Sequence, residues 1–390
     1  MRLFSREAAS RGERSPVRLA FLITSLAIGG AELMLLRLLE NLDRRRFEPY
    51  VISLIDAGDL GDRISSLGIG LLELHMPRGR LRISALWTLV KFLKQWRPSI
   101  LHTWMYHADL FGSMAATLAG RIPVVWCIRA SSHEHGYISS LTRLAVRTAA
   151  LLSHFIPARV ISCSRTAMRD HIHIGYRPDK FVVIPNGFDL ERFRPDPVAR
   201  NAVRHELLVP EEAQLVGFVA RFDPLKNHVG FLQAAASLLK VFPQVRFLLA
   251  GADVHEGNRE LSEAIESAGL ASVVYLMGRR TDVHRLMAAL DVLVSASLSE
   301  AFPNVVGEAM ACGVPCVVTD VGDSALIVDN AGRVVRVGDT AALASALHGV
   351  LSMSESDRTE LGRVARARIH EHFDIRKIAQ QYQTLYEQLL

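Results

Sequence analysis

The sequence predicts an α/β protein made of two Rossmann-like, doubly wound domains, and three observations lead to it. Strand-like apolar runs alternate with helical periodicity in two successive series, one starting at Val17 and the other at Leu215. The runs are short and continuously apolar, as in Asp291-Val-Leu-Val-Ser-Ala-Ser-Leu298, which suits strands buried on both faces of a parallel sheet. The chain has 390 residues, 49% of them hydrophobic, which is enough for two domain-sized cores.

Residues 1–16 are polar and charged and read as a flexible tail. The first series places strands near 18–25, 47–55, 69–75, 99–104, 123–129, 159–163 and 181–184. Its first strand runs through Gly29-Gly30-Ala31-Glu32 into an amphipathic helix from Leu33 to Leu42. Paired glycines there let the backbone approach a ligand closely. Two prolines and several charges in Arg192-Phe-Arg-Pro-Asp-Pro-Val198 mark a linker. The second series places strands near 215–220, 245–250, 273–277, 291–297 and 315–319, with a helix from Gly230 to Val241. The last segment, from Asp374, carries Ile375, Ile378, Tyr382, Leu385, Tyr386 and Leu389 at helical spacing, so one face is buried. The expected units are thus the tail, an N-terminal domain over 17–195, a C-terminal domain over 196–373, and a final helix over 374–390. The chain contains neither an internal repeat nor a low-complexity tract.

Three segments carry chemistry. In the first, Glu300 and Glu308 flank Phe302-Pro303-Asn304, which opens a helix ended by Gly313 and Pro315. Free N–H groups near Asn304 and Val305 can receive a phosphate or hydroxyl cluster, and each carboxylate can accept paired hydroxyls. Taken by themselves, two such glutamates read as a solvated helix face. In the second, Leu215 to Asn227, a strand runs into Arg221 and Lys226, two cations at a strand's C-terminal end that can neutralise a diphosphate. The bland reading of these is a surface pair capping local carboxylates. The third is the glycine turn at Gly29 and Gly30, which lacks the G-x-G-x-x-G of a dinucleotide site and so argues against a nicotinamide-dependent oxidoreductase.

Gly29-Gly30-Ala31-Glu32, Val183-Ile-Pro-Asn-Gly-Phe-Asp189, Arg221 to Asn227 and Glu300-Ala-Phe-Pro-Asn-Val-Val-Gly-Glu308-Ala-Met-Ala-Cys-Gly-Val-Pro stand in the order seen in the retaining family 4 glycosyltransferases, which this chain resembles from about Val17 onward. The resemblance implies a GT-B fold, two Rossmann-like domains facing a central cleft, with the final helix crossing back onto the N-terminal domain. It implies a nucleotide diphosphate sugar as donor, a saccharide or lipid-linked acceptor in surface polysaccharide or glycolipid synthesis, and no metal or other cofactor. It assigns Arg221 and Lys226 to the leaving diphosphate, Glu300 to hydroxyls of the transferred sugar, Glu308 to the ribose diol, and the backbone of Gly29 and Gly30 to closure over the diphosphate. Phe302, Pro303, Asn304 and Val305 would contact the sugar or the β-phosphate, and Arg279 would lie beside the base. On the acceptor side, His102 in Ile100-Leu-His102-Thr-Trp104 is a candidate for the reaction centre, with a satisfied core histidine as its alternative. Many family members carry a histidine after the strand equivalent to Val124 to Ile128, where this chain has Arg129, a permanent charge.

Paired carboxylates also occur in glycosidases, but these glutamates adjoin phosphate-binding features. A sugar-nucleotide epimerase of the same fold, or a catalytically silent nucleotide-sugar-binding protein, are the competing functions. The net charge of +5 comes without a Lys/Arg block, so an acidic ligand or anionic membrane face is a better partner than nucleic acid. Two apolar helical stretches, Ile83 to Arg97 with Trp87 and Trp96, and Ile138 to Ile156 with Arg143 and Arg147, are candidates for peripheral membrane contact; the plain alternative for each is a core-facing helix. With neither a spanning segment nor a signal-peptide core, the expected location is the cytoplasm, at the inner face of the plasma membrane. Cys127, Cys163, Cys312 and Cys316 read as reduced core residues. The pairs His133/His135 and His171/His173 lack the carboxylates that would complete a metal site.

Overall fold

The computed structural model describes residues 15–77, 82–131 and 139–390. Most of the tail over 1–16, and the pair His133/His135, lie outside the described residues.

Among the described residues, the first sheet has seven strands: β1 (Val17–Ile23), β2 (Phe47–Ser53), β3 (Gly70–Glu73), β4 (Ile100–Trp104), β5 (Val124–Ile128), β6 (Arg159–Ser162) and β7 (Phe181–Val183). Its order is β3-β2-β1-β4-β5-β6-β7. The second has six: β8 (Leu215–Val219), β9 (Arg246–Ala250), β10 (Val274–Leu276), β11 (Val292–Ser295), β12 (Cys316–Thr319) and β13 (Gly332–Val335), in the order β10-β9-β8-β11-β12-β13. Every neighbouring pair is parallel, with Leu19 opposite Ile100 and Ile23 opposite Trp104 at the centre of the first sheet. Strand order reverses between β1 and β4 and again between β8 and β11, the two switch points where open α/β sheets bind ligands.

Both faces of each sheet are covered, so alternate strand residues enter different cores. Leu19, Phe21 and Ile23 pack on one side of the first sheet, Ala20 and Leu22 on the other. Each large side chain buried this way contributes about 1.5–3 kcal/mol. The helix Ile375–Glu387, capped by Asp374, lays Ile378, Tyr382 and Tyr386 into the first core, although its sequence follows the whole second sheet. The outgoing and returning chain segments are tied together where they cross: Phe188 N–H donates to Phe373 O at 2.8 Å and Ile375 N–H to Phe188 O at 3.0 Å.

Several local expectations shift. Pro197 opens the helix Pro197–Glu206, capped by the Asp196 side chain, so the second proline of the expected linker marks a helix start. The helix expected from Gly230 begins at His228, because the Asn227 side chain accepts from Gly230 N–H and caps it. Trp96 packs on Phe92 and Tyr50, whereas Trp87 is exposed. The edge strand β13 is missing from the sequence-based series; two of its four residues face outward, so it lacks a continuous apolar run.

Candidate functional site

A cavity of about 460 Å³ opens between the lobes at both switch points. Gly29, Gly30 and Glu32 reach it from beyond β1, Met105 from beyond β4 and Arg129 from beyond β5; Arg221 and Lys226 come from beyond β8, and Glu300 to Val305 from beyond β11. Gly29, Gly30, Arg129, Arg221, Lys226, Glu300, Phe302, Pro303, Asn304 and Val305, all singled out in the sequence, are therefore brought together.

Local chemistry fixes the C-terminal side. Asp223 caps the short 3-10 turn Pro224–Lys226 through Leu225 N–H at 2.9 Å, and accepts from Arg221 Nε at 3.0 Å. Asn227 is left-handed at φ 58°, a conformation asparagine tolerates, and its amide donates to Ala296 O at 3.3 Å. Leu298 N–H closes the same contact on Leu225 O at 2.7 Å. This brace sets Lys226 against Glu300, and the two form an ion pair through Nζ and Oε1. Ser297 Oγ donates to the same carboxylate oxygen at 2.9 Å. Beneath the Glu300 loop, Gly322 takes φ +56°, and a Cβ there would stand 2.4 Å from Glu300 O, so no other residue fits.

The helix Asn304–Ala311 begins inside the cavity with Pro303 as its N-cap, where the sequence placed this proline in the first turn. Its first residues, Asn304 and Val305, line the cavity together with Lys226 and Glu300, and a helix start carries partial positive charge. Asn304 Oδ1 accepts from Asn186 Nδ2 at 2.7 Å, and Asn186 in turn accepts from Arg129. Arg129 also donates to Tyr382 OH at 2.6 Å and lies 4.3 Å over the Trp104 ring. A polar chain thus runs from the C-terminal helix through the floor of the cavity to the opposite lobe.

Three expected residues stand elsewhere. His102 is fully buried: it shares the face of β4 with Ile100 and Trp104, and its Nδ1 bonds Tyr386 OH at 2.8 Å. Burial, then the Arg129 charge, pushes its pKa well down. It is a core residue, because mid-strand alternation turns it under the final helix and away from the cleft. Glu308 lines a second interlobe cavity, of about 1020 Å³, where it pairs with Arg37 at 2.5 Å. Arg279 forms an exposed pair with Asp59 of the other lobe at 2.9 Å, and that contact holds the Asp59 carboxyl below the usual range.

Other residues at the cavity are given no role by the sequence motifs. Burial raises the Glu32 carboxyl above its ordinary range, against a bond to its own backbone and the charge of Arg221. Its place in the glycine turn was the available signal. Met105 sits at φ 76°, ψ 153°, a conformation rare for any residue but glycine and worth about 1–3 kcal/mol of strain. Among the described residues, no three His, Cys, Asp or Glu side chains converge to hold a metal ion. His171 is buried and bonds Tyr106 OH at 2.9 Å and Ala167 O at 2.7 Å.

Comparison with known proteins gives the family. Residues 28–192 match the model of Glycosyltransferase Family 4 and residues 213–353 that of Glycosyl transferases group 1. A Bacillus subtilis (strain 168) protein named as a candidate glycosyltransferase, EpsF, is 28% identical over 78% of this chain and 80% of its own length. The Escherichia coli UDP-Gal:alpha-D-GlcNAc-diphosphoundecaprenol alpha-1,3-galactosyltransferase is 27% identical over 68% of this chain and 69% of its own. The crystal structure of Anabaena HepE in complex with UDP and glucose superposes with a TM-score of 0.84 at 25% identity, covering 95% of this chain and all of that one. The chain belongs to the family 4, group 1 glycosyltransferases and is a glycosyltransferase of the GT-B fold.

Proposed function

We propose that this enzyme transfers a sugar from a uridine diphosphate sugar to a hydroxyl of a lipid-linked saccharide, with retention at the anomeric carbon, in surface polysaccharide or glycolipid synthesis. The observation that carries the reading is the convergence of Arg221, Lys226, Glu300 and the start of the helix Asn304–Ala311 on one interlobe cavity. HepE, of the same fold, has been crystallised with UDP-glucose, and the Escherichia coli relative is named for a diphosphoundecaprenol-linked acceptor.

In the reaction the bond from the anomeric carbon to the β-phosphate oxygen breaks and a bond to the acceptor oxygen forms. The acceptor proton passes to the leaving phosphate. Negative charge grows on the diphosphate, and fixed cations with a helix start are suited to stabilise it without reorganisation. Arg221, Lys226 and the N–H groups of Asn304 and Val305 take that role, and no metal is required. Glu300, already oriented by Ser297, holds hydroxyls of the transferred sugar. Gly29 and Gly30 close over the diphosphate, and Glu308 holds the ribose diol one helical turn further along.

The N-terminal lobe supports an amphiphilic acceptor. Leu141, Leu144 and Leu151 of the helix Ser140–Leu152, with Phe155 beyond it, are exposed beside Arg143 and Arg147. Ile83 and Trp87 are exposed on the helix Ile83–Trp96, which also carries Lys91 and Lys94. An apolar cavity of about 440 Å³ lies beside the first group, lined by Leu110, Phe111, Met114, Leu141 and Leu144. Apolar side chains flanked by cations fit an anionic membrane face. No described helix is long and apolar enough to cross a membrane. The exposed apolar and basic side chains suit a peripheral seat on the cytoplasmic face of the membrane.

The test is a transfer assay with labelled UDP-sugars and polyprenyl-diphosphate saccharides. Label should pass to the lipid fraction, only with acceptor present, and the Lys226→Ala variant should fail to move it. An isomerised donor formed without acceptor would instead identify an epimerase, and donor binding with no turnover a silent binder.

A further inference from the structure

Glu308 is not free in the cleft. Arg37, on the helix Gly30–Glu40 of the opposite lobe, donates from Nη2 to Glu308 Oε1 at 2.5 Å and from Nη1 to Gly187 O at 3.2 Å. Both side chains are about nine-tenths buried. The guanidinium carbon stands 5.8 Å from the Phe188 ring centre and 5.7 Å from that of Phe193, so rings on the interlobe crossing fix its plane. A planar fork held at two acceptors and against two rings has little freedom, and lysine could not reproduce it. Arg37 and Glu308 both line the 1020 Å³ cavity, with Ile28, Asp59, Arg280 and Val283. The helix bearing Glu308 starts in the first cavity and passes the second, so one short element spans both.

We propose that Arg37 is a positioning residue for the donor's ribose: it clamps Glu308 through Oε1 from the N-terminal lobe and turns Oε2 toward a ribose hydroxyl. The inference rests on the assignment of Glu308 to the ribose diol. A carboxylate at this depth is costly without a partner, and one held by a single oxygen keeps the other for a ligand. Because the clamp comes from the opposite lobe, the ribose subsite is complete only when the lobes are together. Nucleotide binding and lobe closure then favour one another, since each completes the contacts of the other.

Calorimetric titration of the whole chain with UDP and with 2′-deoxy-UDP separates the two ideas. The wild type should prefer UDP by about 10-fold, the value of one hydrogen bond to a charged group. Lys226→Ala should weaken both ligands and keep that ratio. Glu308→Gln should bring the ratio close to one, Arg37→Ala should do the same, and the double variant should add no further loss. Arg37→Lys, which keeps the cation in the buried site, should give an intermediate ratio and stands in if Arg37→Ala does not fold. A ratio unchanged in Glu308→Gln would remove the ribose assignment and the inference with it. A ratio lost in Glu308→Gln but intact in the Arg37 variants would overturn the inference alone.

Discussion

Asp323, beyond β12 of the second sheet, adds to the Ser164 cap of a helix of the other lobe by accepting from Arg165 N–H at 2.7 Å; Thr166 N–H donates to its second oxygen at 3.0 Å. Its own backbone N–H donates to Ala301 O at 3.1 Å, next to Glu300. One buried residue therefore joins the lobes and steadies the loop of the candidate sugar-binding glutamate. Asp323→Ala should destabilise the protein by about 1 kcal/mol, as loss of a helix cap does. It should lower the melting temperature, with Asp323→Asn retaining part of the effect. Calorimetric melting of the two variants checks this.

The pH dependence of stability should carry the mark of Glu32. Burial raises its folded pKa above the ordinary 4.5. An acid whose pKa is raised on folding contributes stability that is fully present below its ordinary pKa and lost as pH rises through the folded value. Glu32→Gln should therefore melt at a higher temperature than the wild type at neutral pH and at the same temperature below about pH 4. Melting curves across that range decide it; a constant difference would show that the carboxyl does not titrate on folding.

Much of this architecture could be read from the sequence because parallel strands buried on both faces leave continuous apolar runs, as at Leu19 to Ile23 and Val292 to Val294. Arg221, Lys226 and Glu300 were legible for a related reason: residues just past such strands fall at the switch points. Arg37 was not, since its partner Glu308 lies 271 residues away and nothing local distinguishes it from a solvated helix arginine. His102 was left open between the reaction centre and the core, because a fully buried strand gives no sign of which alternate residues face a helix and which approach the cleft. The φ of Met105 is equally silent in sequence, as methionine there carries no turn signature.

Membrane association should depend on the exposed apolar face. Leu144→Asp combined with Phe155→Asp should reduce co-sedimentation with vesicles of anionic phospholipid and leave UDP binding unchanged. Both side chains are largely exposed, so the melting temperature should stay the same. Equal sedimentation of variant and wild type would place the contact elsewhere.

The chemistry should survive chelation. If Arg221, Lys226 and a helix start neutralise the charge, transfer rates in EDTA should equal those in added Mg²⁺. A loss of transfer reversed by the cation would mean that the diphosphate carries its own metal into the cleft.

The most direct measurement of the central claim is calorimetric titration of UDP into the wild type, Lys226→Ala and Arg221→Ala. If the two cations and the helix start grip the diphosphate, the wild type binds UDP and not uridine, and each variant loses about 10-fold or more in affinity, the value of a charge-assisted hydrogen bond. Binding of UDP at wild-type strength by both variants would contradict the account.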